Sequence, residues 1–277
     1  IDTRTHKITA RLDGGNVPLD VAPMASDDSL MATQFRGSTL IRVPLDGSGT
    51  SQLLETGSGP SLFSRPGKAG VRYVVSEFAD VVIEVDTLGR ERRRWATGDR
   101  PYPAGLTSDG ILLFVPNRDD GTVTVIDTLN DAIVATVEVG GKPQGGAVTA
   151  DDTEYAVACS DDANGDAIRF INTATFELVG EITEGVGPGP FSVARTPDER
   201  LMIVNNSGGD TLTVLDAAER RVIETITVGE QPIVVRTHPD GSRMFVSNEV
   251  SGTVSVIDVT LPKPTANDAK TEVIVLG

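Results

Sequence analysis

"GTVTVIDTLNDAIVATVEVGGKP" occupies residues 121–143, and "GTVSVID" returns at 252–258. Aligning the chain on this stretch gives a series of positions that close a "VID"-type strand: Asp2, Pro44, Asp86, Asp127, Asn172, Asp216 and Asp258, spaced 41 to 45 residues apart. A proline series follows in step: Pro18, Pro60, Pro101, Pro143, Pro190 and Pro232. Sixteen residues after each proline a third series ends an apolar run: Gln34, Ser76, Asn117, Cys159, Asn206 and Asn248. Three registers that stay in phase along the whole chain mark an internal repeat.

Each unit reads as four short strands. A strand after the proline ("GGAVTA", 145–150) meets an Asp-bearing turn; an apolar strand ("LMIVNN", 201–206) meets a polar turn; then come the alternating strand ("TLTVLD", 211–216) and an outer strand ("RVIETITVG", 221–229). Val, Ile and Thr at period two suit a pleated surface, and Gly, Asp and Asn supply the turns. No segment has a helical period. Four antiparallel strands repeated every 40–45 residues predict an all-β fold, a β-propeller whose blades bury their faces against their neighbours, in a single domain over residues 1–277.

Six prolines lead six inner strands, so six blades are expected. Closure is expected by pairing the two ends of the chain, with "HKITARLDGG" (6–15) as the outer strand of the last blade, although "KTEVIVLG" (270–277) competes for the same place. The chain starts at Ile1 without an initiator Met, which reads as a processed or trimmed start; strands preceding Ile1 would favour seven blades. A tail strand not used at home would be available for self-assembly by joining another subunit's sheet edge.

These strands, "TVTVIDTLNDAIVATVEVGGKP" and "FVSNEVSGTVSVID" above all, resemble the YVTN family of β-propeller repeats over essentially the whole chain. Pro44 departs from its anchor Asp, and Gln34, Ser76 and Cys159 from its strand-end Asn. The resemblance implies a secreted, periplasmic or cell-surface protein, as in archaeal surface layers. It is specific for fold and poor for function. Related propellers include lactonases and the propeller subunits of quinone-dependent amine dehydrogenases, which makes an enzyme or accessory subunit the alternative to a non-catalytic module for binding protein partners.

Composition bounds the partners. A net charge of −16 repels phosphate backbones and disfavours nucleic acid. No apolar run approaches the roughly 20 residues of a membrane-spanning helix. The one cysteine, Cys159, excludes an internal disulfide, and two histidines exclude a His-rich metal centre. His238 stands where other units have Thr107, Thr149 and Thr196, and reads as a replaced packing residue.

Strand alternation places the turns between second and third strands on the same face as the links between blades. These turns carry Glu77, Asp80, Asp119, Asp120, Asp161, Asp162, Asp166, Asp210 and Glu249, opposed by Arg36 and Arg118. Carboxylates in such turns either bind a hard cation or a basic partner, or serve the turns themselves. Ca²⁺ is the candidate cofactor, with Asp161, Asp162, Asn164 and Asp166 of the longest turn and Asp119 and Asp120 as candidate ligands. Tyr102, Phe191, Arg100, Lys142 and Gln144 flank the inter-blade prolines and are the candidate ligand contacts. "RERRRW" (90–95) is the one basic run, an anion patch or an outer strand with charges that blunt edge pairing. "NNS" at Asn205 is a glycosylation sequon, expected on an exposed turn.

Overall fold

The computed structural model describes residues 2, 4, 5, 7–25, 28–160, 165–196, 200–238 and 240–258, and the backbone of 271–275. It contains six four-stranded antiparallel sheets, each with its strands in chain order. The first is β1 (Pro18–Pro23), β2 (Ser29–Gln34), β3 (Thr39–Pro44) and β4 (Ser51–Glu55); the second is β5 (Pro60–Phe63), β6 (Arg72–Ser76), β7 (Val81–Val85) and β8 (Glu91–Ala96). The third is β9 (Gly105–Leu106), β10 (Leu112–Asn117), β11 (Thr122–Asp127) and β12 (Ala132–Glu138), and the fourth β13 (Lys142–Val148), β14 (Glu154–Ser160), β15 (Ala167–Asn172) and β16 (Leu178–Ile182). The fifth is β17 (Pro190–Arg195), β18 (Met202–Asn206), β19 (Thr211–Asp216) and β20 (Arg221–Thr227), and the sixth β21 (Pro232–Thr237), β22 (Arg243–Asn248), β23 (Thr253–Asp258) and β24 (Thr271–Val275). This is a six-bladed β-propeller. By its contacts the chain divides into two compact units, Ile1–Pro143 and Gln144–Gly277.

One expectation is overturned. The outer strand of the sixth blade is the tail segment β24, in register from Thr253↔Val275 to Ile257↔Thr271. The N-terminal segment 6–15 forms no strand among its described residues, so the chain ends do not pair. Segment 6–15 alternates apolar and polar residues and 270–277 carries the short apolar run Val273–Leu276; either pattern suits a strand, so periodicity alone cannot choose between them. The tail is therefore used within its own chain.

Middle strands read as continuous apolar runs because both of their faces are covered. In the first unit, Ala22, Met31 and Leu40 of blade 1 pack with Phe63, Val74, Ile83 and Val85 of blade 2. Tyr73, Val75 and Val82 point the other way, onto Leu113, Val115 and Ile126 of blade 3. The second unit repeats the device: Ala156, Ile168 and Phe170 meet Val193, Met202 and Val204, while Ile203, Leu212 and Val214 meet Val235, Met244 and Val246. Packing is tight enough to require glycine at Gly146, where a Cβ would lie 2.4 Å from the Tyr155 ring end and 2.5 Å from the Ala156 carbonyl oxygen. Gly146→Ala is expected to destabilise the fold by about 2 kcal/mol, because fully buried Tyr155 has little room to yield. A denaturant midpoint equal to wild type would contradict this.

Each recurring sequence register has a bonding reason. The anchor Asp is a turn clamp: Asp127 Oδ1 accepts from the amides of Leu129 and Asn130, both at 2.9 Å, and Asn172 does the same for Ala174 and Thr175. Where Pro44 replaces the anchor, Asp46 accepts from the Ser48 amide instead. Strand-end Asn side chains bind the neighbouring third strand. Asn117 Nδ2 donates to Thr122 and Thr124, Asn206 to Thr211 and Thr213, and Asn248 to Thr253 and Ser255, all between 2.8 and 3.1 Å.

Two minor readings are corrected. His238 is a turn residue rather than a packing one: its Nδ1 lies 2.6 Å from Asp240 Oδ1, where Thr107 and Thr149 hydroxyls bond Asp109 and Asp151 at 2.6 and 2.7 Å. Hydrogen bonds from the Ser242 side chain and backbone, then His238, lower the Asp240 pKa to about 2. Asn205 is fully buried in β18, not on an exposed turn, so the sequon is closed to glycosylation in the folded protein.

Candidate functional site

Before five of the six inter-blade prolines, the preceding residue meets the residue following the strand-end register. The amides of Phe35, Glu77, Arg118, Ser207 and Glu249 donate to the carbonyls of Val17, Gly59, Arg100, Gly189 and Gln231. All five acceptors have positive φ, between 52° and 74°. Glycine takes this conformation freely, whereas Val17, Arg100 and Gln231 are held there against a strain of about 1–3 kcal/mol. This strain belongs to the fold, since it recurs in three blades. Its local effect is to bring Arg100 and Arg118 of blade 3 to the side of blade 2 that carries Glu77.

Most of the turn carboxylates have a structural use. Asp80 Oδ1 accepts from the Arg100 amide at 2.9 Å, Asp210 Oδ1 from Gln231 at 2.9 Å, and Asp166 Oδ2 from Gly189 at 2.8 Å. Each clasps the link to the following blade. Asp120 Oδ2 takes the Asp99 amide at 2.7 Å. Asp119 bonds Arg118 at 2.8 Å and lies 3.7 Å from Arg100. Asp161, Asp162 and Asn164 lie outside the described residues.

Glu77 is the exception among the described turn carboxylates. It is buried, with 6% of its surface exposed, while its counterpart in blade 6, Glu249, is exposed. Loss of solvent pushes its pKa from 4.5 up to about 7, against the lowering pull of Arg100, the Ser61 hydroxyl and Arg118. Ser61 Oγ makes no hydrogen bond of ordinary geometry, so its pull is a weak one. Tyr102 is buried beside this group, and burial, then the Glu77 charge, raises its pKa.

Aromatic rings complete the cluster. Phe78, 54% exposed, lies 5.6 Å from the Phe35 ring centre and carries the Arg100 guanidinium 5.5 Å over its face. Gly59 makes room for it: a Cβ there would stand 2.6 Å from the Phe78 ring. The Arg118 guanidinium lies 5.9 Å over Tyr102. An acid, two cations and three rings thus share one face of the first unit.

The candidate ligand contacts separate under this geometry. Arg100 and Tyr102 join the cluster. Gln144 instead bridges blades 4 and 5, donating to Ser160 Oγ at 2.8 Å and the Pro190 carbonyl at 3.4 Å. Phe191 and Lys142 are half-buried at or near the starts of β17 and β13 in other blades. The basic run is an outer strand: Arg92 and Arg93 pair with Glu84, Arg94 with Glu91, Arg90 with Asp86, and Trp95 is buried in the core between blades 2 and 3. Missing from the candidates were Glu77 as a buried group, Phe78 and Phe35. A signal existed: Glu77 and Arg118 hold the same register in consecutive repeats with opposite charge.

No family model matches the sequence, and a search of curated proteins gives no match. Among solved structures the chain is similar to Kuenenia stuttgartiensis hydrazine synthase, with a TM-score of 0.74 and 16% identity over 87% of this chain and 76% of that one. At that identity the likeness is one of fold, and the fold is that of a β-propeller.

Proposed function

We propose that the chain is a non-catalytic recognition module, working outside the cell or at its surface, that binds a protein partner through the face bearing Phe35, Phe78 and Arg100. The carrying observation is Phe78, an exposed aromatic ring held in place by Phe35, Gly59 and Arg100. Rigid aromatic and arginine anchors contribute most of the affinity at protein interfaces, because they bury large area with little loss of side-chain freedom. Resemblance of the repeats to the YVTN family supports the location.

A peptide selected from a displayed random library against the wild-type chain should lose at least tenfold in affinity, about 1.4 kcal/mol, on Phe78→Ala. Selected peptides that bind Phe78→Ala and Arg100→Ala as tightly as wild type would remove this face from the reading. The second reading is an enzyme in which Glu77, titrating near neutrality, moves a proton. Turnover of a lactone or phosphate ester, lost in Glu77→Gln, would favour it over the first.

A further inference from the structure

Resting on the reading of this face as a binding site, we propose that Arg100, Arg118 and Glu77 together take a carboxylate group, and that it binds with Glu77 in its acid form. Three observations carry this. The Nε atoms of Arg100 and Arg118 are both buried without a hydrogen-bond acceptor. A buried donor left unmade is unfavourable by about 1–3 kcal/mol, more for a charged group, so two side by side point to an absent acceptor. Asp119 gives its two oxygens to these two guanidiniums, one at 2.8 Å and one at 3.7 Å, leaving most of their ten N–H donors to other acceptors. Glu77 forms no ion pair with either arginine among the described residues, although both draw its pKa down.

A carboxylate fits what is left. Its two oxygens supply about four lone-pair sites: one oxygen can take arginine N–H donors, the other the O–H of a protonated Glu77. Two ionised carboxylates in this space would repel, whereas a pair sharing one proton does not. The groups facing Glu77 are Arg100 and Arg118 from blade 3, Ser61 from β5 and Tyr102; Asp119 acts more remotely. An arginine side chain does not lose its proton in proteins, a serine hydroxyl does not ionise, and burial moves Tyr102 further from neutrality, so the proton taken up on binding goes to Glu77. No bond is made or broken beyond that proton transfer from solvent.

The test is titration calorimetry with acetate at pH 6, 7 and 8, in buffers of different ionisation heat, with a pentapeptide bearing a free C-terminal carboxylate and its amide as further arms. Expected are acetate binding that weakens about tenfold per unit above pH 7, and uptake approaching one proton at pH 8. Glu77→Gln should keep binding, through its amide donor, and lose both the pH dependence and the proton uptake. Arg118→Lys, which keeps the charge and removes Nε–H, should weaken acetate at least tenfold. Tighter binding of the peptide acid than of acetate, with none of the amide, identifies a chain terminus as the source; equal binding of acetate identifies a free acid. Absent acetate binding at pH 6, or binding with no pH dependence or proton uptake, overturns the proposal. If the Phe78→Ala effect on selected peptides persists in that case, the recognition reading stands without it.

Discussion

Glu77→Gln should raise the melting temperature at pH 8 by roughly 6 °C and leave it unchanged at pH 4. The argument is one of linkage. Burial raises the Glu77 pKa from 4.5 in the unfolded chain to about 7 in the fold. The native state therefore holds this proton more tightly than the unfolded state, and stability from this group is present in full below pH 4.5. It is lost as pH rises between 4.5 and 7, and the whole penalty applies above 7. That difference corresponds to about 3 kcal/mol, and a chain of this length converts each kcal/mol into roughly 2 °C. Gln carries no charge to bury, so its profile lacks this step. The comparison of wild type with the variant cancels the other acidic groups, including the many surface aspartates. Parallel pH profiles for the two proteins would show that Glu77 is solvated in the fold and would take the basis of the carboxylate site with it.

The blades were legible because each recurring letter has a local bonding partner within the same repeat. An anchor Asp clamps amides two and three positions on, and a strand-end Asn reaches residues five and seven positions on. Two of the departures from the motif follow as well. Asn occurs where the third strand begins Thr-x-Thr or Thr-x-Ser: Thr122 and Thr124, Thr211 and Thr213, Thr253 and Ser255. Ser76 faces Val81, and Cys159 faces Ala167, so an Asn there would find no hydroxyl at the facing position. Ser76 turns to the Thr56 carbonyl instead, at 2.9 Å. Asn205 was also legible in principle: it adjoins Asn206 within a strand, and a sequon in a covered strand is buried.

The site was less legible because its parts meet across repeats. Glu77 and Glu249 share a register and a residue type, yet only Glu77 is buried. What distinguishes them is the company: Phe78, Arg100, Tyr102 and Arg118 come from positions that the repeat leaves free to vary. Variation at a position is visible in a sequence, but the depth of a side chain depends on the bulk of its neighbours from two blades. The outer strand of the sixth blade was illegible for a different reason, since 6–15 by its alternation and 270–277 by its short apolar run both suit a strand, and only the pairing itself decides.

Asn117→Ala should destabilise the fold by about 3–4 kcal/mol, more than the same change at Asn206 or Asn248. All three side chains are fully buried or nearly so, and all three donate two hydrogen bonds from Nδ2. Asn117 does one thing more: its Oδ1 accepts from the Gly98 amide at 3.1 Å, in the link that leads to Pro101. The Oδ1 atoms of Asn206 and Asn248 have no hydrogen-bond partner. Truncation at 117 therefore leaves a backbone N–H orphaned as well as two hydroxyls, adding the roughly 1–3 kcal/mol that an unmatched buried donor costs. At 206 and 248 the loss of an already unpaired carbonyl offsets part of the lost bonds, leaving about 2 kcal/mol. Gly98 also lies two residues from Arg100, so loosening this link should weaken whatever binds at Arg100 and Arg118, whereas Asn206→Ala, in the other unit, should not. Equal denaturant midpoints for the three variants would mean that the Asn117–Gly98 bond carries no weight, and that the links are held by the turn aspartates alone.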